Sequence, residues 1–395
     1  MTGTAKPPLT LRKVLQQIHL WIGVVLCVPF VMLGITGSVL VFEHELNDLF
    51  VTPPVHATAD GTSKTLGEIV AAARAAAPQG TTPTMVGLPD EAGEPASVRF
   101  QAQGRAQQGP GGGVQVLVDP VSLEVLATRQ PSGDSWLRQI FFLHANMMVR
   151  GDRSGREAIG WLGVGMAILG VSGLVLWWPR PGRLKQALVF TWRAKGARFH
   201  RDLHAAVGFW SLIVFMVVTI SGIYLAFPQQ LGAAVRSVLP ARDLRAGFIG
   251  PNAFRVTPVQ GAQAMSVDDA ARLAVEAIAG TTVRFVALPA RPEQPMRVGL
   301  ARPGHEHGAP MPTVFIDPWE RKVIEARDPR DYTLGETIMA WQHALHAGEG
   351  LGWTWKILVF LSGFLPPLFA VTGISMWLIK RRNRRRAALQ AHPAD

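Results

Sequence analysis

The chain has 395 residues, of which 48% are hydrophobic and 17% charged, against about 25% charged in an average soluble domain. That balance excludes a disordered or highly solvated protein. A formal charge of +11 raises nucleic acid as a partner until the charges are placed along the chain. The lone Cys27 excludes a disulfide scaffold, an iron–sulfur cluster and a thiolate-rich zinc site, each of which needs several sulfurs.

Four stretches are apolar for the roughly 20 residues that a helix needs to cross a bilayer. In chain order the sequence predicts a short N-terminal segment (1–19), a first span (20–42), a long polar segment (43–157) and a second span (158–178). A basic loop (179–202), a third span (203–227), a second long segment (228–354), a fourth span (355–379) and a basic tail (380–395) follow. The first span is too long for a signal-peptide core, and no small-residue cleavage site follows it, so it reads as an uncleaved anchor. Pro29 in span one and Pro366-Pro367 in span four predict kinks. Cys27, mid-span, reads as small packing.

The three short segments 1–18, 179–202 and 380–395 carry a net +14, while the rest of the chain carries −3. Because basic loops stay on the cytoplasmic side, both termini and the middle loop are expected inside a cytoplasmic membrane. The segments 43–157 and 228–354 are expected outside. The Arg381–Arg386 cluster is then a topology anchor, and no nucleic-acid partner is expected.

The sequence also repeats itself. A shift of 185 places His19 on His204, Gly23 on Gly208, Thr36 on Ser221 and Gly37 on Gly222. A shift of 200 places Gly163 on Gly363, Ser172 on Thr372, Gly173 on Gly373 and Trp177 on Trp377. Outside the spans, Val118-Asp119-Pro120 matches Ile316-Asp317-Pro318, each half opening on an Ala-rich helical pattern followed by strand-like runs. The expected fold is a mainly α membrane protein of four core transmembrane helices from an internal duplication, with two small outer α+β domains. Residues 103–113 and 302–312 read as hairpin loops within those domains.

Seven of the eleven histidines lie near span ends. His19 and His204 recur at inner ends, each with a glycine, Gly23 or Gly208, four residues later. Positions i and i+4 share a helix face, so each glycine leaves a flat gap beside an imidazole where a large planar group could lie. Leu143-His144-Ala145 and Leu345-His346-Ala347 recur at the outer ends. Two inner and two outer histidines are what two bis-imidazole haems require, paired as His19 with His204 and His144 with His346, whose irons those four residues ligate. No carboxylate or cysteine recurs with them, which argues against zinc. Two alternatives stay open: His343, one turn before His346, as the outer ligand, and His200, one turn before His204, as a neighbouring or propionate contact. His44 reads as a surface group, Met147 and Met148 as packing, and His305-Glu306-His307 as a solvated loop.

At Gln17-Ile18-His19-Leu20-Trp21-Ile22-Gly23, Leu143-His144, His200-Arg201-Asp202-Leu203-His204-Ala205-Ala206-Val207-Gly208 and Leu345-His346-Ala347-Gly348, the chain resembles the PepSY-associated transmembrane family, the iron-regulated membrane proteins that include siderophore reductases. The Asp119-Pro120 and Asp317-Pro318 segments resemble PepSY domains. The resemblance implies b-type haem and one-electron reduction of a ferric siderophore at the periplasmic face of a bacterial inner membrane. Some relatives carry a fused flavin reductase module, and none follows span four. The expected electron donor is therefore a quinol or a separate cytoplasmic reductase. The competing expectation is a non-enzymatic binding or regulatory protein whose PepSY domains grip a peptide or peptidase.

Overall fold

The computed structural model describes residues 10–89, 91–102, 113–130, 135–179, 181–244 and 254–391. The first half runs through α1 (Leu11–Val25), α2 (Cys27–Val41), α3 (Glu43–Phe50), α4 (Leu66–Ala76), β1 (Thr81–Gly87), β2 (Ala96–Ala102), β3 (Gly113–Val118), β4 (Val125–Arg129), α5 (Trp136–Asn146) and α6 (Ser154–Trp177). After the short α7 (Leu184–Ala187) come α8 (Ala197–Ala226), α9 (Pro228–Val238), α10 (Val267–Ala277), β5 (Thr282–Ala287), β6 (Met296–Ala301), β7 (Thr313–Asp317) and β8 (Lys322–Arg327). The chain closes with α11 (Leu334–Ala340), α12 (Gln342–Ala347), α13 (Gly352–Ser362) and α14 (Leu365–Ala391). Contacts divide it into a helical unit (Met1–Glu43, Trp136–Gly232, Gln342–Asp395) and a second unit (His44–Ser135, Ala233–Trp341).

In the helical unit, α6, α8 and the stretch Gly352–Ala387 are each long and apolar enough to cross a membrane, and α1 with α2 makes a fourth candidate as a bent pair. The predicted first span is therefore not one straight helix: it breaks at Leu26 and turns by 66°. Pro29 supplies the cause, because it has no N–H for the Val25 carbonyl and its ring crowds that carbonyl. Pro366 and Pro367 act in the same way on Ser362 and Gly363, where α13 ends. Gly34 and Gly363 then let α2 and the α13–α14 junction approach backbone to backbone, since a Cβ on Gly34 would run into the Gly363 carbonyl. The Ser38 hydroxyl donates to the Phe360 carbonyl across that contact at 2.7 Å. Small residues at a close crossing are the usual basis of helix packing in lipid, where no hydrophobic drive separates helix from solvent.

The second unit departs from the expectation of two separate small domains. All eight strands form one antiparallel sheet in the order β4-β3-β2-β1-β5-β6-β7-β8. The central pairing joins β1 to β5 with Val86 opposite Val286, residues 200 positions apart. Register shifts at Pro83/Met85 and at Val283/Phe285 sit at matching places on either side. Joining the two four-stranded halves buries the β1 and β5 edges, which would otherwise offer unpaired backbone to other chains. Ile69 and Ala73 of α4 and Ala270 and Ala274 of α10 pack on Val86, Val98, Val286 and Val298 of one sheet face, all fully buried. The two helices also meet at their starts, where the Asp268 carboxylate accepts from the Leu66 and Gly67 amides at 2.8 and 3.1 Å.

The recurring Asp-Pro segments are turn caps. Asp119 accepts from the amides of Val121 and Ser122, and Asp317 from those of Trp319 and Glu320, all at 2.8–3.1 Å. Burial works to raise the Asp119 pKa, yet the Thr58 hydroxyl and the backbone donors outweigh it and hold the carboxyl below the usual range. Residues 302–312 form the connection between β6 and β7 as expected. The predicted loop at 103–113 lies, but for Gly113, outside the described residues.

Glu336 is the chief buried charge of this unit, 2% exposed and bonded by Arg242 Nε at 2.6 Å, the Arg242 amide at 3.0 Å and the Thr333 amide at 3.0 Å. The Arg242 guanidinium holds its carboxyl down to about 2 from an ordinary 4.5. A carboxylate with a depressed folded pKa contributes stability that is fully present above its unfolded value and is lost on acidification. The contribution should therefore hold above pH 4.5 and fade towards pH 2. Glu336→Gln is expected to cost about 1–3 kcal/mol near neutrality, the usual loss at a buried polar group. Thermal unfolding of the two proteins between pH 3 and 7 checks both, with the difference shrinking in acid.

Candidate functional site

The predicted histidines come together in two pairs within the helical unit. His19 on α1 and His204 on α8 have ring centres 6.2 Å apart. His144 on α5 and His346 on α12 have theirs 6.1 Å apart. Two imidazoles bonded to one metal through a ring nitrogen at about 2.0 Å put their ring centres roughly 6 Å apart. Both α5 and α12 belong to this unit, although the sequence placed them at the ends of the outer segments. Helix α8 connects the two places: His204 belongs to one pair, and Ser221, seventeen residues further along, contacts the other. That spacing is about 25 Å of helix.

Local sequence explains why the short helices stop where they do. Beyond Asn146, Met147 and Met148 take left-handed φ values of 50° and 61°. Gly348, at φ 80°, ends α12, and the Glu349 amide returns to the Ala344 carbonyl at 2.9 Å, a closing turn that glycine permits without a Cβ penalty. The Trp355 indole donates to the Leu345 carbonyl at 3.2 Å and so ties the residue before His346 to α13.

Each of the four imidazoles has its Nδ1 engaged by a neighbouring helix. His19 meets Ser172 Oγ at 2.9 Å, His204 meets Thr372 Oγ1 at 2.7 Å, and His144 meets Thr36 Oγ1 at 2.9 Å. His346 meets the Val218 carbonyl at 2.9 Å and Ser221 Oγ at 3.4 Å. The glycine after each hydroxyl residue lies beneath the same ring. A Cβ built on Gly173, Gly373, Gly37 or Gly222 would stand 3.3, 3.9, 3.1 or 2.8 Å from the Cε1 of its histidine. The sequence reading did not assign these eight residues, although each had already surfaced as a matched position of the repeat. Four Ser/Thr-Gly dipeptides inside apolar spans were the available signal.

Gly23, predicted to leave a gap beside His19, faces open space, with nothing within 4 Å of a built Cβ, and Gly208 would meet only the Phe369 ring at 3.8 Å. An open apolar groove on the surface, lined by Leu15, Ile168, Val171, Ser172 and Val175 among others, runs beside Ser172. His343 is exposed and stands outside the pairs. His200 is half-buried, with an Nδ1 that has no hydrogen-bond partner, and its ring meets Phe199 edge-on. His44 is exposed and lies edge-on to His307 at 5.0 Å.

The donor set suits axial ligation of a planar group. Nδ1 is hydrogen-bonded in all four rings, so Nε2 is the nitrogen that could ligate. Among the described residues no third histidine, cysteine or acid stands at ligand distance with either pair, whereas structural zinc takes four protein ligands. Gly23 leaves room beside one pair, and ionisable side chains inside a membrane-embedded bundle are functional by default.

No curated protein matches the chain. The family described as the PepSY-associated TM region matches residues 16–380, a stretch that holds α6 and α8, most of the other two candidate spans, the eight-stranded sheet and both histidine pairs. This membrane protein therefore belongs to the PepSY-associated TM family.

Proposed function

We propose that the protein is a di-haem b reductase of the bacterial inner membrane, carrying electrons across the bilayer to reduce a ferric siderophore in the periplasm and release Fe(II). The observation that carries this reading is the matched geometry of the two histidine pairs, each with ring centres about 6 Å apart and every Nδ1 already bonded. His19 and His204 would hold one haem and His144 and His346 the other. Bound in this way, haem supplies one-electron exchange between ferric and ferrous iron. With one histidine of a pair on each side of such a group, its iron would have no place open to a small molecule, and electron transfer is the chemistry it would supply.

The basic segments place the His19 pair on the cytoplasmic side with both termini, where a quinol or a cytoplasmic reductase donates. On that orientation the His144 pair lies towards the periplasm. Reduction releases iron because hard oxygen chelators hold Fe(III) far better than Fe(II).

The test is the absorption spectrum of the purified chain before and after dithionite. A reduced b-type α band with two haems per chain is expected. Its absence would remove the reductase reading and favour a binding or regulatory role for the sheet unit.

A further inference from the structure

A neutral imidazole carries its proton on either ring nitrogen, and the bond made by one nitrogen decides what the other can ligate. Each hydroxyl facing a histidine has a single hydrogen, and in all four cases a carbonyl one turn back on its own helix takes it. Ser172 donates to Ile168 at 2.6 Å, Thr372 to Leu368 at 2.8 Å, Thr36 to Met32 at 2.7 Å and Ser221 to Val217 at 2.7 Å. With its hydrogen committed there, the oxygen can only accept, so the facing Nδ1 must carry the proton. At His346 the Val218 carbonyl, which has no hydrogen to give, forces the same tautomer by an independent route.

We infer that Thr372 is a positioning residue that locks His204 as its Nδ1–H tautomer and strengthens its Nε2 as a donor, while the carbonyls of Leu169, Leu33 and Val218, one turn before Ser172, Thr36 and Ser221, do this for His19, His144 and His346 and make Ser221 dispensable. The inference rests on the haem reading above. A hydrogen bond to the far nitrogen raises the basicity of a ligating histidine, and a stronger donor favours ferric over ferrous iron. Removing the acceptor therefore raises the potential of that centre alone.

The experiment is a potentiometric titration of the full-length protein in lipid nanodiscs, followed by absorption. Thr372→Val exchanges the hydroxyl for a methyl of the same shape. It is expected to shift the ferric–ferrous equilibrium of one centre about tenfold, which is ~59 mV upward for a one-electron couple, and to leave the other centre in place. Thr372→Ser should restore the original potential, and Ser221→Ala should move neither centre. Selective loss of one haem in Thr372→Val would support the same role. Unchanged potentials in Thr372→Val, or an equal shift in Ser221→Ala, would overturn the inference while leaving the haem reading intact. Absence of haem from the wild-type protein overturns both.

Discussion

Purified His204→Ala is expected to contain half the haem of the wild-type protein, with one centre absent and the other retained. The pairing itself predicts this. His204 and His19 face each other at 6.2 Å, whereas His144 and His346 occupy separate helices and use separate cradles on Thr36, Val218 and Ser221. Loss of one axial nitrogen should release the group held by the first pair and leave the second, about 25 Å away along α8, undisturbed. His19→Ala should give the same residual spectrum as His204→Ala, and His346→Ala the complementary one. The stoichiometry of pyridine haemochrome, together with low-temperature difference spectra, distinguishes the cases. Retention of both haems, or loss of both, in either single variant would refute the assignment of ligands to pairs.

Glycine substitutions beneath the rings should divide as sharply. In Gly222→Ala the new methyl would sit 2.8 Å from His346 Cε1 and 3.2 Å from its Nδ1, closer than packing tolerates. The ring must move, and overpacking of this kind costs typically about 1–3 kcal/mol. That corresponds to a loss of affinity of about fivefold to roughly a hundredfold at the His144–His346 site. In Gly373→Ala the methyl would stand 3.9 Å from His204 Cε1, an ordinary contact, and both haems should remain. Both glycines lie inside long helices, α8 and α14, where alanine is intrinsically favoured by about 1 kcal/mol. A general loss of helix stability therefore cannot account for a selective defect. Haem occupancy measured at equal protein recovery separates the two variants, and equal occupancy in both would show that the glycines do not set the imidazole positions.

These expectations divide by how far apart their residues lie. The recurrence of His19 as His204 needed only the order of residues, and so did the matching of Leu143-His144 with Leu345-His346. The sequence already preferred His346 over the neighbouring His343, and the orientation of α12 leaves His343 exposed. The hydroxyl partners are out of reach of any local pattern. Ser172 lies 153 positions from His19, and Thr372 lies 168 from His204. Their contact exists only because α6 and α14 pack beside α1 and α8. Pro29 by contrast announced its kink from the sequence, and only the 66° size of the turn at Leu26 had to be read from the structure.

From the sequence alone came the apolar spans, the charge asymmetry between their connecting segments, the repeat and the four histidines. All of these are properties of single segments or of their order, and hydropathy and spacing record them directly. Only the tertiary structure decided that the strands of both outer segments join through Val86 and Val286, that α5 and α12 belong with the membrane helices, and that a Ser/Thr-Gly pair lies beneath each imidazole. Register, edge pairing and close approach depend on which distant surfaces fit against one another, and a one-dimensional pattern holds no record of that fit.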